Sequence, residues 1–248
     1  VQFLEYSDDP YIPGISYRED KAIALLQSLG IESKSDGKWR KYADLDAAEK
    51  KKLVSALADI LVERNKIKSA AELIGESYVF PKRAMDETYE ASEFATLLNA
   101  CGRHDKDDVA VGVALGQEEY FDEARSLLLQ HRKMLRDGIE FAMKNIQDLG
   151  AFFLLDGRGV IDEGIVGIVC GMVQQNSWKK PIVGVANGEN GQLKLSGRGK
   201  GVNLGQAMKA ASAAVKGVGG GHRMAAGAAI AAATLDDFLL ALGQELGK

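Results

Sequence analysis

The sequence predicts an α/β fold: a helical insert and a long connector helix, followed by a small α/β domain with a mixed sheet. Three observations carry this. Apolar residues recur at three/four spacing through much of the first 147 residues, as in helices packed on one face. After residue 150 the pattern switches to short apolar runs separated by Gly-marked turns, in the order strand, helix, strand, strand, helix, strand, helix. The 28 glycines and an aromatic content of only 7% fit tight turns and closely packed elements.

Taken in order, residues 1–17 read as an extended linker, because Pro10 and Pro13 forbid regular helix and Pro13-Gly14 marks a turn. A helical insert spans 18–80. Its first helix begins near Ser16 and runs to about Leu29, stopped by Gly30. Its second runs from about Asp44 to Arg64, capped by Asp44 or Asp46, with Leu45, Leu53, Leu57, Ile60 and Leu61 as its apolar stripe. A short helix over 69–75 and a short strand at Tyr78-Val79-Phe80 complete the insert, and Pro81 ends it.

Residues 81–147 form a helical connector. It holds a helix over 87–101, a buried strand or tightly packed short segment over 107–116, and one long helix over 118–147. Phe121, Ala124, Leu128, His131, Leu135 and Ala142 make the stripe of that long helix. At 1.5 Å per residue it is roughly 45 Å long, enough for a strut between two domains. Gly138 weakens it by about 1 kcal/mol relative to Ala. The closing domain, 148–248, has strands at 151–159, 181–188, 192–199 and 224–233, with helices at 161–176, 203–215 and from Leu235 onward.

Composition narrows the function. A formal net charge of −4 excludes a chain that is basic throughout, as many nucleic-acid binders are. Cys101 and Cys170 do not make a disulfide framework, and a reduced, cytoplasmic setting is expected. His104, His131 and His222 lack zinc spacing. No stretch approaches the roughly 20 apolar residues that span a membrane, and no secretory signal is read, so no membrane partner is expected. The chain opens on Val1 inside an apparently mid-domain string and is expected to be a fragment of a longer protein.

The chemistry concentrates in the last domain. Gly219-Gly220-Gly221-His222 combines three residues that allow close backbone approach and turn N–H groups toward a ligand with a ring N–H donor. It reads as a phosphate cradle. No acidic residue occurs between Glu189 and Asp236, whereas Lys194, Arg198, Lys200, Lys209, Lys216 and Arg223 all fall in that window. An acidic chain with one basic segment suggests a local anion site. In Ser196-Gly197-Arg198, at the end of a strand, the guanidinium fork and the hydroxyl suit phosphate, and a charge-assisted bond of this kind contributes roughly 1.5–3 kcal/mol. The plainer alternative is a hairpin with a solvated arginine. For Asn99…Arg103 the alternative is a helix end marked by Asn99 and Gly102. His104 and His131 face solvent or a helix seam, and both cysteines sit among small apolar residues as core. No Walker loop, carboxylate cluster or Ser-His-Asp order is present, so the chain can bind phosphate but has no evident means to cleave it.

These strings resemble a known family. GGGHRMAAG (219–227) resembles the signature of the DHH-associated C-terminal domain of DHH-superfamily phosphoesterases. NACGR (99–103) and SGRG (196–199) resemble segments of RecJ nucleases. DPYIPGIS (9–16) and EFATLLNACGR (93–103) look like the archaeal RecJ-like proteins, a group that includes the GINS-associated nuclease. The resemblance spans essentially the whole chain in the right order. It implies an N-terminal DHH domain, outside this chain, whose Asp and His residues hold two Mn²⁺ (or Mg²⁺) ions, and it makes residues 1–17 the linker from that domain. It implies that Asn99, Arg103, Ser196, Arg198, Gly219, Gly220, Gly221 and His222 line the substrate cleft, with His222 on the scissile or adjacent phosphate. Arg223 and Cys101 depart from the usual strings, where small residues are common.

The implied function is the nucleic-acid-binding portion of a single-strand-specific exonuclease in DNA replication or repair, acting on single-stranded DNA or RNA, with this chain alone inactive. Two alternatives stay open: a non-catalytic replication scaffold in which 18–80 docks GINS or a replicative helicase, and a small-nucleotide (nano-RNA) phosphoesterase.

Overall fold

A computed structural model describes residues 1–7, 10–83, 86–174 and 180–247. The chain divides into two compact units, Val1–Ala91 and Ser92–Lys248.

The first unit is built on helices α1 (Gln2–Glu5), α2 (Glu19–Ser28), α3 (Ala47–Glu63) and α4 (Ile67–Ala71), with a two-stranded ribbon of β1 (Lys34–Ser35) and β2 (Lys38–Trp39). Asp46 caps α3: its carboxylate accepts from the N–H groups of Ala48 and Glu49, and Glu49 reaches back to the Asp46 N–H. Leu53, Leu57 and Leu61 then fall on one buried stripe. Arg40 fastens the ribbon to this cap. Its guanidinium donates to Glu49 at 2.7 and 2.9 Å and to the carbonyls of Glu32 and Asp44. The Arg40 guanidinium, aided by the Asp46 N–H, holds the Glu49 carboxyl down at about 2.

The linker expected over 1–17 is part of this core. Val1, Leu4, Ile12 and Ile15 are buried with Ala22, Leu26, Leu53 and Leu61, and the Ile12 N–H donates to the Ser16 hydroxyl at 2.8 Å. The prolines do keep regular helix short. They do not keep side chains out of a core, because burial depends on where those side chains point.

The second unit begins with α5 (Ala91–Arg103, the first residue closing the other unit), α6 (Asp107–Leu115) and α7 (Phe121–Asn145). They share a cluster of Leu97, Ala100, Cys101, Val109, Val113, Ala124, Leu127 and Leu128. The segment 107–116 is therefore a helix. Val109 and Val113, one turn apart, face α7, and Gly112 admits the Tyr120 ring. A helix with apolar residues on nearly every side shows no period, which is why it resembled a buried strand.

A six-stranded mixed sheet follows, ordered β3 (Gln147–Asp148), β4 (Phe153–Asp156), β5 (Ile182–Asn187), β6 (Gln192–Arg198), β8 (Ala225–Ala231), β7 (Val218–Gly221). β4 and β5 are parallel, joined through α8 (Val166–Gln174), and every other pair is antiparallel. The end of the helix expected over 161–176 lies outside the described residues. α8 packs on β5 and β6 from one face, with α7 behind it. On the other face α9 (Leu204–Ala214) and α10 (Leu235–Leu246) enclose a core containing Leu195, Leu204, Met208, Ala228, Ile230 and Phe238. The long helix is thus a layer of this unit. Gly138 lets α7 approach α8, since a Cβ there would lie 2.9 Å from Val169.

Candidate nucleic-acid interface

The site follows from sheet register. β6 pairs β8 with Ser196 opposite Gly227 and Arg198 opposite Ala225. β8 pairs β7 with Gly227 opposite Gly220, and the His222 N–H extends this ladder by donating to the Ala225 carbonyl at 2.8 Å. Residues directly opposite in an antiparallel ladder project to the same face. Backbone pairing thus aligns Arg198, Ala225 and His222 in one row, with His222 just past the end of β7. Ser196, Gly227 and Gly220 form the next, and Lys194, Ala229 and Val218 a third. Two strand spacings put the ends of each row about 10 Å apart.

This is the face that α8 covers over β5 and β6. Beyond α8 the strip bearing Ala225, Gly227 and Ala229 is only half-buried. The middle of the strip carries nothing larger than a methyl group, while Arg198 and His222 stand at its edges. Arg198 lies along α8 beside Gly167 and Gly171, donates to the Gly197 carbonyl at 2.9 Å, and is held in place by the absence of side chains there: a Cβ on Gly167 would come within 2.8 Å of its Nη2 and 3.2 Å of the Ser196 hydroxyl oxygen. His222 is exposed. The loops at this end are tied together, with the Gly199 N–H on the Met224 carbonyl and the Leu204 N–H on the Arg223 carbonyl, which sets Lys200 and Arg223 beside the row.

The glycine run, read from the sequence as a phosphate cradle between a helix and a strand, itself has strand conformation. Val218–Gly221 is an edge strand. The His222–Ala225 pair is hydrogen-bonded, so by alternation Gly220 also faces β8, and only the N–H groups of Gly219 and Gly221 point to the open edge. Glycine is required for two reasons. Gly220 and Gly221 hold φ of +153° and +138°, and α9 presses so close that a Cβ on Gly219 would lie 2.6 Å from the Ser212 hydroxyl oxygen.

Arg103 ends α5 and donates through Nη1 to the Gly164 carbonyl at 3.2 Å, just before α8. It thus meets the chain at Gly164, three residues before the Gly167 that Arg198 and Ser196 approach. Asn99 is exposed one turn earlier on the same stripe of α5. The basic window divides. Lys194 shares the face of Arg198, with Glu163 3.9 Å away, whereas Lys209 lies on α9 in the opposite layer. Gly167 and Gly171 of α8 carry no signal in the sequence, and only the packing of α8 on β6 brings them to Arg198. Both cysteines are buried. Burial pushes the Cys170 thiol up to about 12 and also raises Cys101. Among the described residues no three His, Cys, Asp or Glu side chains are grouped to hold a metal ion, so these residues do not by themselves fit a divalent-cation centre. No helix among them is long and apolar enough to cross a membrane.

Residues 1–74 match the DHH-CID domain and residues 150–248 the DHHA1 domain. An uncharacterized protein of Methanocaldococcus jannaschii is 28% identical over 99% of the chain, and the chain spans only about half (51%) of its length. Among solved structures, RecJ from Thermus thermophilus with Mn²⁺ is similar at a TM-score of 0.53, with 16% identity over 80% of this chain and 30% of that one. CDC45 from Entamoeba histolytica is similar at 0.58, with 12% identity over 93% of this chain and 51% of that one. An exonuclease RecJ bound to manganese is similar at 0.52, with 19% identity over 97% and 64%. Both domain matches fall in order along a RecJ-like fold, and the chain carries a DHH-CID domain and a DHHA1 domain.

Proposed function

We propose that the second unit binds the sugar–phosphate backbone of single-stranded DNA or RNA across the β6–β8–β7 face, as the substrate-holding part of a RecJ-like exonuclease. The observation that carries this is the row Arg198–Ala225–His222: two phosphate-binding side chains flanking a strip of small residues, with Ser196 in the adjacent row. Arg198 supplies a guanidinium fork, Ser196 a hydroxyl, His222 a ring N–H, and Gly219 and Gly221 backbone N–H groups at the strand edge. Arg103 and Asn99 extend the line of donors along α5. Backbone contacts of this kind position a strand without reading its sequence.

In this reading the divalent ions seen with RecJ belong to a DHH domain outside these 248 residues. This chain's contribution is to hold the phosphates in register. A titration with a single-stranded oligonucleotide, followed by amide resonances, tests it. The amides of Gly219 and Gly221 and the His222 ring shift, while the Lys209 amide on α9 does not. Equal movement at Lys209, or none at the glycines, overturns the reading.

The likeness to CDC45 keeps a second reading in view, a replication scaffold without catalysis. Ile74, Tyr78, Val79 and Phe80 of the first unit are exposed apolar residues of the kind that dock a protein partner such as GINS or a helicase. The sequence of the DHH domain distinguishes the two: a full set of Asp and His ligands supports the exonuclease, and their loss supports the scaffold.

A further inference from the structure

Two histidines of the second unit lie beside this site without a role in it. His104 directly follows Arg103 in the turn that ends α5. That turn is fixed by the N–H groups of His104 and Lys106, both bonded to the Cys101 carbonyl at 3.0 Å, and by Asp105 at φ +54°. His131 comes from α7 and is only 7% exposed. The two rings meet edge to face with centroids 6.3 Å apart. Nε2 of His104 and Nδ1 of His131 are both buried, and neither has a hydrogen-bond partner. A buried polar atom left unpaired costs free energy, and an apolar side chain would fill the same seam without that cost.

The charges around the pair are unequal. Arg103 on α5 and Arg132 on α7 both act on His131. Together with burial, the largest cause, and with His104, they hold its pKa below the usual histidine value. Carboxylates lie further round the seam: Asp108 of α6 and Glu123 of α7 act on Cys101, and Glu123 pairs with Lys106 at 3.3 Å. α8, packed on α7, contributes no titratable side chain among its described residues except Cys170.

We propose that the His104–His131 pair is a proton-linked positioning element for Arg103: a phosphate bound on Arg103 offsets that cation, and His131 takes up a proton as the anion binds. This rests on the reading of Arg103 as a phosphate contact. Linkage is reciprocal, so protonation strengthens anion binding. Affinity rises as pH falls through the lowered range in which His131 titrates, by at most about tenfold per pH unit for one proton.

The chain has three histidines, His104, His131 and His222, so each ring can be followed separately by NMR. The probe is a 5′-phosphorylated thymidine tetranucleotide. At saturation the titration midpoint of His131 moves up by about half a pH unit or more, as expected for an opposite charge brought near it. Arg103→Gln abolishes that movement. If the probe perturbs the Gly221 amide and the His222 ring while His131 titrates as in the free chain, the linkage is wrong and the phosphate site stands. If neither Gly221 nor His222 responds and the probe does not bind, the phosphate site falls and the linkage falls with it.

Discussion

Gly167→Ala is the most informative single substitution, because it tests the interface without touching any group that would contact a ligand. The added Cβ would meet Arg198 Nη2 at 2.8 Å, well inside van der Waals contact, and the Ser196 Oγ and Cβ at 3.2 and 3.3 Å. The two Ser196 atoms need to give by only a few tenths of an ångström. The guanidinium is the far end of a flexible side chain and must leave its place along α8. Alanine gains about 0.5–1 kcal/mol of helix propensity over glycine, which offsets the crowding, so the fold survives. Losing one charge-assisted contact removes roughly 1.5–3 kcal/mol of binding. At 1.4 kcal/mol per factor of ten, the Kd for a single-stranded oligonucleotide rises roughly 10- to 150-fold. Arg198→Ala has the same effect, and the double variant adds nothing further, because both changes remove one contact. Fluorescence anisotropy measures all four Kd values. Unchanged affinity in Gly167→Ala, or additive losses in the double variant, would refute the argument that α8 positions Arg198.

Other consequences follow from the packing. Gly205→Ala places a methyl group directly against the Gly221 carbonyl, which is backbone and cannot step aside. It costs about 1–3 kcal/mol, read as a Tm lower by several degrees, and an unchanged Tm would contradict the α9–β7 packing. Phe238, fully buried between α10 and the sheet, loses about 3–5 kcal/mol on replacement by Ala, measurable by denaturant unfolding. Glu49 is depressed to about 2 by Arg40, so its contribution to stability is complete above pH 4.5 and drains away as pH falls toward 2. Arg40→Met flattens that acid limb of the stability profile, and an unaltered limb would assign it elsewhere.

Much of the second unit is legible in the sequence because its signals are local. Alternation in 192–198, the Gly188 and Gly199 turns and the Ala-rich run before Val215 each declare an element without reference to the rest. The strand within the glycine run is not legible in the sequence, because glycine has low strand propensity. Val218–Gly221 becomes a strand only because β8 supplies a ladder and α9 leaves no room for side chains, and both are long-range facts. The same holds for 1–17, where the prolines disclose the backbone but not the burial of Ile12 and Ile15. At the site, Ser196, Arg198 and His222 were recognisable as phosphate-binding types in Gly-rich settings. That they share a face is a matter of register, which no local pattern encodes. Pooling Lys209 with Arg198 in one basic segment is the converse error: the two are only eleven residues apart in sequence, yet Lys209 lies on α9 in the layer opposite the face of Arg198.

The central claim is that one face of this sheet, and not the basic segment as a whole, holds the phosphates. Arg198→Ala and Lys209→Ala each remove one positive charge from the same stretch of sequence, on opposite layers. Oligonucleotide affinity measured for both across a range of salt separates the two possibilities. The account predicts at least a tenfold weaker Kd and a salt slope shallower by about one for Arg198→Ala, with Lys209→Ala close to wild type. Equal losses in the two variants would mean that net charge, not the Arg198–Ala225–His222 row, drives binding, and would contradict the claim.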